Sequence, residues 1–154
     1  IDDLTLIQVY IFYNLIYALS SYPIGILADK VGLKKIFLFG LLLFAGVYFG
    51  MSFNSNSVVF FGLFFIYGVY AAATEGIAKA WISNVSDSKD TATAIGTYSG
   101  LQSICTMLAS SATGVIWYVY GSSVALSLIA ILTIGILVYI YFAVPKTNRM
   151  KIEK

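Results

Sequence analysis

The fold follows from the stretch Gly25-Ile26-Leu27-Ala28-Asp29-Lys30-Val31-Gly32-Leu33-Lys34-Lys35, a charged segment between two long uncharged runs. The flanking residues 4–28 and 36–74 contain no Asp, Glu, Lys or Arg. A bilayer core about 30 Å thick is crossed by roughly 20 apolar helical residues. We therefore interpret the stretch as a tight charged turn between two membrane-spanning helices, in which Gly32 permits a close backbone approach or a positive φ.

A third uncharged run covers residues 91–145. The second and third runs are too long for one crossing, and each contains one polar break that is typical of a turn. These breaks are Asn54-Ser55-Asn56-Ser57 and Gly121-Ser122-Ser123. The sequence therefore predicts an all-α integral membrane domain over residues 1–154. Its five spans are expected at about 4–27, 36–53, 58–81, 92–119 and 124–144, with a tail at 145–154.

Composition agrees with a membrane chain. Of 154 residues, 60% are hydrophobic and 10% are charged, whereas soluble domains carry about 25% charged residues. There is no His and one cysteine, Cys105, which is expected to be a small buried residue. Metal or acyl chemistry lacks its usual ligands and bases here. We therefore predict that the protein is not an enzyme and needs no metal or cofactor.

The distribution of charge predicts an orientation, because Lys and Arg collect on the cytoplasmic side. With five spans, consecutive loops alternate between the two sides of the membrane. Every cationic residue then falls on one side, and Asp2 and Asp3 fall on the other. We expect the N-terminus of this segment outside and the C-terminus in the cytoplasm of a multi-pass cell-membrane protein. Because the chain begins at Ile1 and its first span starts at once, we also expect a longer protein. The cations are Lys30, Lys34, Lys35, Lys79, Lys89, Lys146, Arg149, Lys151 and Lys154.

Polar residues divide the spans into two kinds. The second and fifth are almost wholly apolar and can face lipid on most sides. The other three carry polar groups that cost free energy in hydrocarbon, so they are expected to face a protein interior or an aqueous cavity. Residues three and four apart share a helix face. The candidates for a cavity wall are Tyr10, Asn14 and Tyr17 in the first span, Thr74 in the third, and Gln102 and Thr106 in the fourth. Ordinary helix packing is the alternative role for these positions.

The charged stretch resembles the G-x-L-A-D-R-x-G-R-R signature of the Major Facilitator Superfamily, which occurs between helices two and three and in weaker form between helices eight and nine. Gly25, Leu27, Ala28, Asp29, Gly32 and Lys34 match, Lys30 replaces Arg conservatively, and Leu33 stands where a basic residue is usual. This departure is similar to the weaker, second copy. The resemblance implies that Gly25, Asp29, Lys30, Gly32 and Lys34 form a conformational-switch loop.

Two other segments fit the position of the weaker signature, between helices eight and nine of the family. Residues 13–23 look like helix eight of bacterial members, and Glu75-Gly76 with Lys79-Ala80 looks like helix ten of a bacterial subset. The chain would then supply helices eight to twelve, most of the C-terminal six-helix half. An alternative register places it at helices two to six. Leu33 and the basic ending Pro145-Lys146-Thr147-Asn148-Arg149 favour the second half.

The resemblance implies a secondary active transporter that moves a small solute by alternating access and is coupled to protons or another ion. Its partners would be the lipid bilayer, the missing N-terminal half and a small-molecule substrate, with no nucleic acid. The alternative is a non-transporting membrane scaffold or a truncated subunit with the same fold. Neither the substrate nor the direction of transport follows from these residues.

Glu75 is the acid that lies well inside a span. Within a helix over residues 58–81, Glu75 would lie about 8 Å and Lys79 about 14 Å to the cytoplasmic side of the centre. Lys79 can extend its amine to the interface, whereas Glu75 largely cannot. Glu four residues before Lys permits an intrahelical ion pair. The functional alternative is that Glu75, with Lys79 nearby, takes up and releases the coupling proton as the two halves move.

Overall fold

The computed structural model describes residues 3–54 and 56–144, and these form five helices joined by short turns. In chain order they are α1 (Asp3–Val31), α2 (Leu33–Phe53), α3 (Ser57–Val85), α4 (Thr91–Tyr120) and α5 (Ser122–Ala143). The described residues contain no β-strand, so the predicted all-α class is confirmed. Asp2 and the tail predicted at 145–154 lie outside the described residues.

Most of these helices are suited to a bilayer. Four are long and apolar enough to cross it, namely Ile7–Val31, Leu33–Phe53, Val58–Val85 and Ser122–Ala143. The remaining helix, α4, is 30 residues long, and Thr, Ser and Gln recur along it. Its length would allow a crossing, but these side chains make it less apolar than a lipid-facing span.

A single glycine forms each of two helix junctions. Gly32 has φ 106° between α1 and α2, and Gly121 has φ 88° between α4 and α5. L-residues with a side chain rarely adopt these values, whereas glycine does so without steric cost. The charged turn is therefore shorter than the sequence suggests, because α1 continues through Asp29 and Lys30. The Gly32 amide closes α1 by donating to the Ala28 carbonyl at 2.9 Å.

The core lies where α1, α2 and α3 meet near the Gly32 junction. It is built from Ala28, Ile36, Ala73 and Ile77, each at most 5% exposed. We call this end of the bundle the basic end, because Lys30, Lys34 and Lys35 surround the junction. α2 is held between α3 and α5. Two sides of α2 therefore pack on neighbouring helices, which leaves the rest of its surface to face lipid.

Gly40 and Gly68 are two of the glycines at which helices approach closely. A Cβ on Gly40 of α2 would lie 2.7 Å from the Thr74 methyl carbon and 3.1 Å from the Ala73 Cβ, both on α3. A Cβ on Gly68 of α3 would lie 2.9 Å from Ile16 and 3.1 Å from the Tyr13 carbonyl oxygen on α1. Small residues at such positions let backbones approach and gain van der Waals contact. These contacts fix the rotation of α3 relative to both neighbours.

Candidate functional site

A polar face on α1 and α3 contains the central candidates from the sequence. Tyr10 and Asn14 are exposed on α1, and Tyr17 is half-buried one turn further on. The Asn14 amide donates to the Tyr10 carbonyl at 2.8 Å, and the Ser21 hydroxyl donates to the Tyr17 carbonyl at 2.6 Å. These bonds use one Asn14 N–H and the Ser21 hydroxyl within their own helix, and they leave the Asn14 amide oxygen and the tyrosine hydroxyls available for other partners.

Glu75 of α3 is exposed beside this stripe. Its carboxylate is near enough to the hydroxyl groups of Tyr13, Tyr17 and Tyr70 to interact with them electrostatically. Because α3 extends to Val85, the midpoint of the helix is Ala71 and Glu75 lies about 6 Å along the axis from it. The acid is thus nearer the midpoint of its helix than the sequence predicts. Within the described chain, Glu75 and Lys79 form no ion pair.

A cleft runs from Tyr17 to the basic end between α1 and α3. Its volume is about 340 Å³, and Tyr17 and Asp29 both line it. Small residues form most of the remaining walls: Ser21, Gly25, Ala28, Ala72, Gly76 and Ala80. A Cβ on Gly25 or Gly76 would meet no atom within 4 Å. These glycines therefore leave open space rather than bringing the helices together.

The residues expected to form a switch loop do different things in the structure. Gly25 and Asp29 line the cleft, Gly32 supplies the positive φ of the junction, and Lys30 is exposed in the last turn of α1. A cation in the last turn is favourable beside the partial negative charge of a helix C-terminus. The motif thus consists of the end of α1 and a glycine turn, and its side chains do not form one cluster.

Lys34 ties the motif to the far end of the chain. Its ammonium donates to the Tyr141 carbonyl at 3.1 Å and to the Val144 carbonyl, and lies 5.9 Å from the centre of the Tyr141 ring. The last carbonyls of a helix lack partners within the helix, and a cation there also meets the negative end of the helix dipole. Lys34 therefore caps α5 from the start of α2, across more than one hundred residues of chain.

We expect Lys34→Gln to lower the thermal stability of the protein in detergent by about 1 kcal/mol, because a neutral side chain loses the dipole and cation–π contributions. Lys35→Gln is the matched control, since Lys35 is the adjacent lysine and is exposed. Melting of both variants, followed by the loss of the monodisperse chromatographic peak, separates the two cases. Equal midpoints for the two variants would contradict the capping role.

Three cavity candidates lie away from the Glu75 face. Thr74 is 7% exposed; its hydroxyl donates to the Tyr70 carbonyl at 2.9 Å and its methyl group packs on Gly40. Gln102 and Thr106 are exposed on α4, none of whose residues is buried. Among the described residues, α4 makes its contacts with α5 and α3 and does not reach α1. The structure therefore does not bring Gln102 and Thr106 together with Asn14.

The sequence analysis missed an aromatic cluster beside Glu75. Tyr13 contacts Tyr67 with ring centres 5.3 Å apart, and Tyr67 contacts Tyr70 at 5.2 Å. Phe44 of α2 lies 4.6 Å from Tyr70 and 4.3 Å from Tyr48. Such separations are typical of favourable aromatic pairs. Tyr67 and Tyr70 are three residues apart and therefore lie on one face of α3. This spacing was the signal in the sequence that could have indicated the cluster.

Comparison with known proteins places this architecture in a family. The model of the Major Facilitator Superfamily matches residues 2–154. An uncharacterized MFS-type transporter of Methanocaldococcus jannaschii is 32% identical over 127 residues, which cover 78% of this chain and 32% of the relative. The chain thus spans about a third of that relative's length. No solved structure matches the chain. The five-helix membrane architecture, the charged turn at Gly32 and the match over nearly the whole length agree, and the chain belongs to the Major Facilitator Superfamily.

Proposed function

We propose that this chain forms one wall of the transport path in a secondary active transporter, which moves a small solute by alternating access and uses Glu75 to carry the coupling proton. Membership of a transporter family supports transport itself. The observation that carries the finer proposal is that Glu75 is exposed and that its neighbour Gly76 lines the same cleft as Tyr17 of the polar stripe on α1.

The position of Glu75 supports a role in coupling. Of the acids in the described chain, it alone lies further than two turns from a helix end. An ionisable residue at such a depth is expensive in hydrocarbon and is usually associated with transport or proton transfer. The polar neighbours of Glu75 are tyrosine hydroxyls, which can donate to the carboxylate when it is charged and accept from it when it is protonated.

The cleft supports a route by which Glu75 exchanges protons with one side. It is lined by Tyr17 and by Gly76, the residue after Glu75, and it reaches Asp29 at the basic end. We assign the basic end to the cytoplasm, because Lys and Arg favour that side. Motion of Asp29 relative to the remaining protein would then open or close the inner end of the route, in keeping with a switch role for the Gly25–Lys34 region.

In this proposal the chain is helices eight to twelve of the C-terminal half, and the polar faces of α1 and α4 meet the other parts of the transporter around a shared cavity. The exposed stripe of Gln102 and Thr106 on α4 supports this, because such groups are poorly suited to lipid. The substrate would occupy the space between the halves, near the middle of the bilayer.

We expect single cysteines at Asn14 and Gln102 to react with a small hydrophilic thiol reagent in the complete transporter with Cys105 replaced by alanine. Reaction needs the thiolate, which forms in water and not in hydrocarbon. Leu15→Cys and Leu101→Cys are matched controls, because each lies next to a test position but points away from the polar stripe. Substrate should slow labelling at Asn14 and Gln102.

The controls should remain unlabelled although Leu15 and Leu101 are 53% and 60% exposed in this chain, because lipid would cover them. If Asn14→Cys and Gln102→Cys are as unreactive as the leucine positions, both stripes are packing surfaces. A non-transporting scaffold with the same fold would then be the better description.

A further inference from the structure

We propose that the substrate is an organic cation, held between the Glu75 carboxylate and the ring faces of Tyr13 and Tyr17. The inference deepens the proposed transport function and rests on it. It concerns the chemical class of the solute, which membership of the family leaves open. Three features carry it: the sign of the charge, the aromatic surface beside the charge, and the space available next to both.

The charge at this level of the bundle is negative. Among the charged residues in the described parts of α1, α2 and α3, Glu75 alone lies within about 6 Å of the midpoint of its helix. The groups near enough to interact with it electrostatically are the hydroxyls of Tyr13 and Tyr17 on α1 and of Tyr70 on α3. Lys79 lies one turn nearer the basic end, and Asp29 lies at the far end of the cleft. A carboxylate among neutral hydroxyls attracts a cation and repels an anion.

The aromatic rings favour a weakly hydrated organic cation. Tyr13 and Tyr17 lie 6.4 Å apart with an interplanar angle of 17°, so consecutive turns of α1 present nearly parallel faces. The negative face of a ring attracts an ammonium or guanidinium group, and the attraction grows when water is excluded. Tyr67 of α3 contacts Tyr13 with ring centres 5.3 Å apart, so the aromatic surface extends across both helices.

A metal ion fits this site poorly. Ca²⁺ takes six to eight oxygen ligands, as a rule with several carboxylates. The described residues contain no group of three or more His, Cys, Asp or Glu side chains that could hold a metal ion. An organic cation needs one counter-charge and an apolar surface, and both are present beside Glu75.

The cleft gives such a solute room. Its volume of about 340 Å³ falls at the lower end of the range for small-molecule pockets, about 300–1,000 Å³. The walls next to Tyr17 consist of small side chains, including Ala72 and Gly76. Apolar substituents of a cation bound at Glu75 can enter this space. A cation and a proton would compete for this one carboxylate.

The test is equilibrium dialysis of tetraphenylphosphonium against the purified complete transporter in detergent. We expect Glu75→Gln to weaken binding by about tenfold or more, as expected for loss of a desolvated ion pair. Glu75→Asp should keep part of the affinity, and Tyr13→Leu should weaken binding at unchanged charge. Asp87→Asn is the matched control, because Asp87 is an exposed acid in the turn between α3 and α4.

Binding to the unaltered protein should weaken as the pH is lowered, and Glu75→Gln should remove this pH dependence. Equal affinity of the unaltered protein and Glu75→Gln, or no binding by either, overturns the inference. The proposed function fails differently. Suppose that a proton gradient drives uptake of a neutral or anionic solute, that this uptake depends on Glu75, and that tetraphenylphosphonium does not bind. The transport proposal then stands and the organic-cation class is wrong. If the cation binds at Glu75 but no gradient moves it, the site stands and the transport proposal is wrong.

Discussion

Replacing Glu75 with glutamine is expected to abolish accumulation of solute driven by a proton gradient in the complete transporter. Glutamine keeps the shape and the hydrogen-bonding capacity of the side chain but cannot take up or release a proton. The exposed position of Glu75 means that little packing is lost, so the amount of folded protein should be unchanged. Uptake into reconstituted proteoliposomes with an imposed pH gradient measures the effect.

Lys79→Gln is the matched control for this variant. Lys79 is on the same helix, one turn nearer the basic end, and is also exposed. Because the two residues form no ion pair in the described chain, Lys79→Gln should leave accumulation largely intact, and the double variant should behave like Glu75→Gln. If the second change instead restores accumulation, the pair is structural and Glu75 does not carry the proton. Full proton-driven accumulation by Glu75→Gln alone would likewise contradict the carrier role.

The second large effect is expected at Gly68. Gly68→Leu places a side chain where even a Cβ would lie 2.9 Å from Ile16 and 3.1 Å from the Tyr13 carbonyl oxygen. The backbone oxygen cannot rotate away, so α1 and α3 must separate. Overpacking of this kind costs about 3 kcal/mol, occasionally more. We therefore expect a large loss of folded protein in detergent and, in the part that folds, displacement of Tyr17 from Glu75.

Gly62→Leu is the matched control because Gly62 is on the same helix and a Cβ there would meet no atom within 4 Å. Both changes replace glycine by a residue with higher helix propensity, so this contribution cancels in the comparison. Gly62→Leu should fold at least as well as the unaltered protein. Comparable thermal midpoints for the two variants would show that α1 and α3 do not pack at Gly68 as described.

The helices and their order could be predicted from the sequence. Uncharged runs of sufficient length, interrupted at Gly32, at 54–57 and at Gly121, specify how many helices form, although α1 and α3 each extend four residues beyond the predicted end. These signals are local, because a helix forms hydrogen bonds between residues four apart and ends where a glycine or a polar turn allows it. The same spacing predicted that Tyr10, Asn14 and Tyr17 share one face of α1.

The sequence also singled out Glu75, because an acid within an apolar helix is costly unless it has a function or a partner. It could not place the neighbours of Glu75. Thr74 and Glu75 are adjacent in the chain, yet Thr74 is buried against Gly40 of α2 and Glu75 is exposed beside α1. The difference depends on how α3 is rotated in the bundle, and spacing along one helix contains no information about that rotation.

Contacts between distant segments decided the rest. The close approach at Gly68 brings Tyr13 and Tyr17 of α1 to Glu75 and Tyr67 of α3, and Lys34 reaches the end of α5. Van der Waals packing selects such arrangements only when both surfaces are present. The sequence by itself therefore determined the five helices, the charged junction and the one acid far from a helix end. The tertiary structure decided which side chains surround that acid, because their proximity depends on side-chain fit between helices that are far apart in the chain.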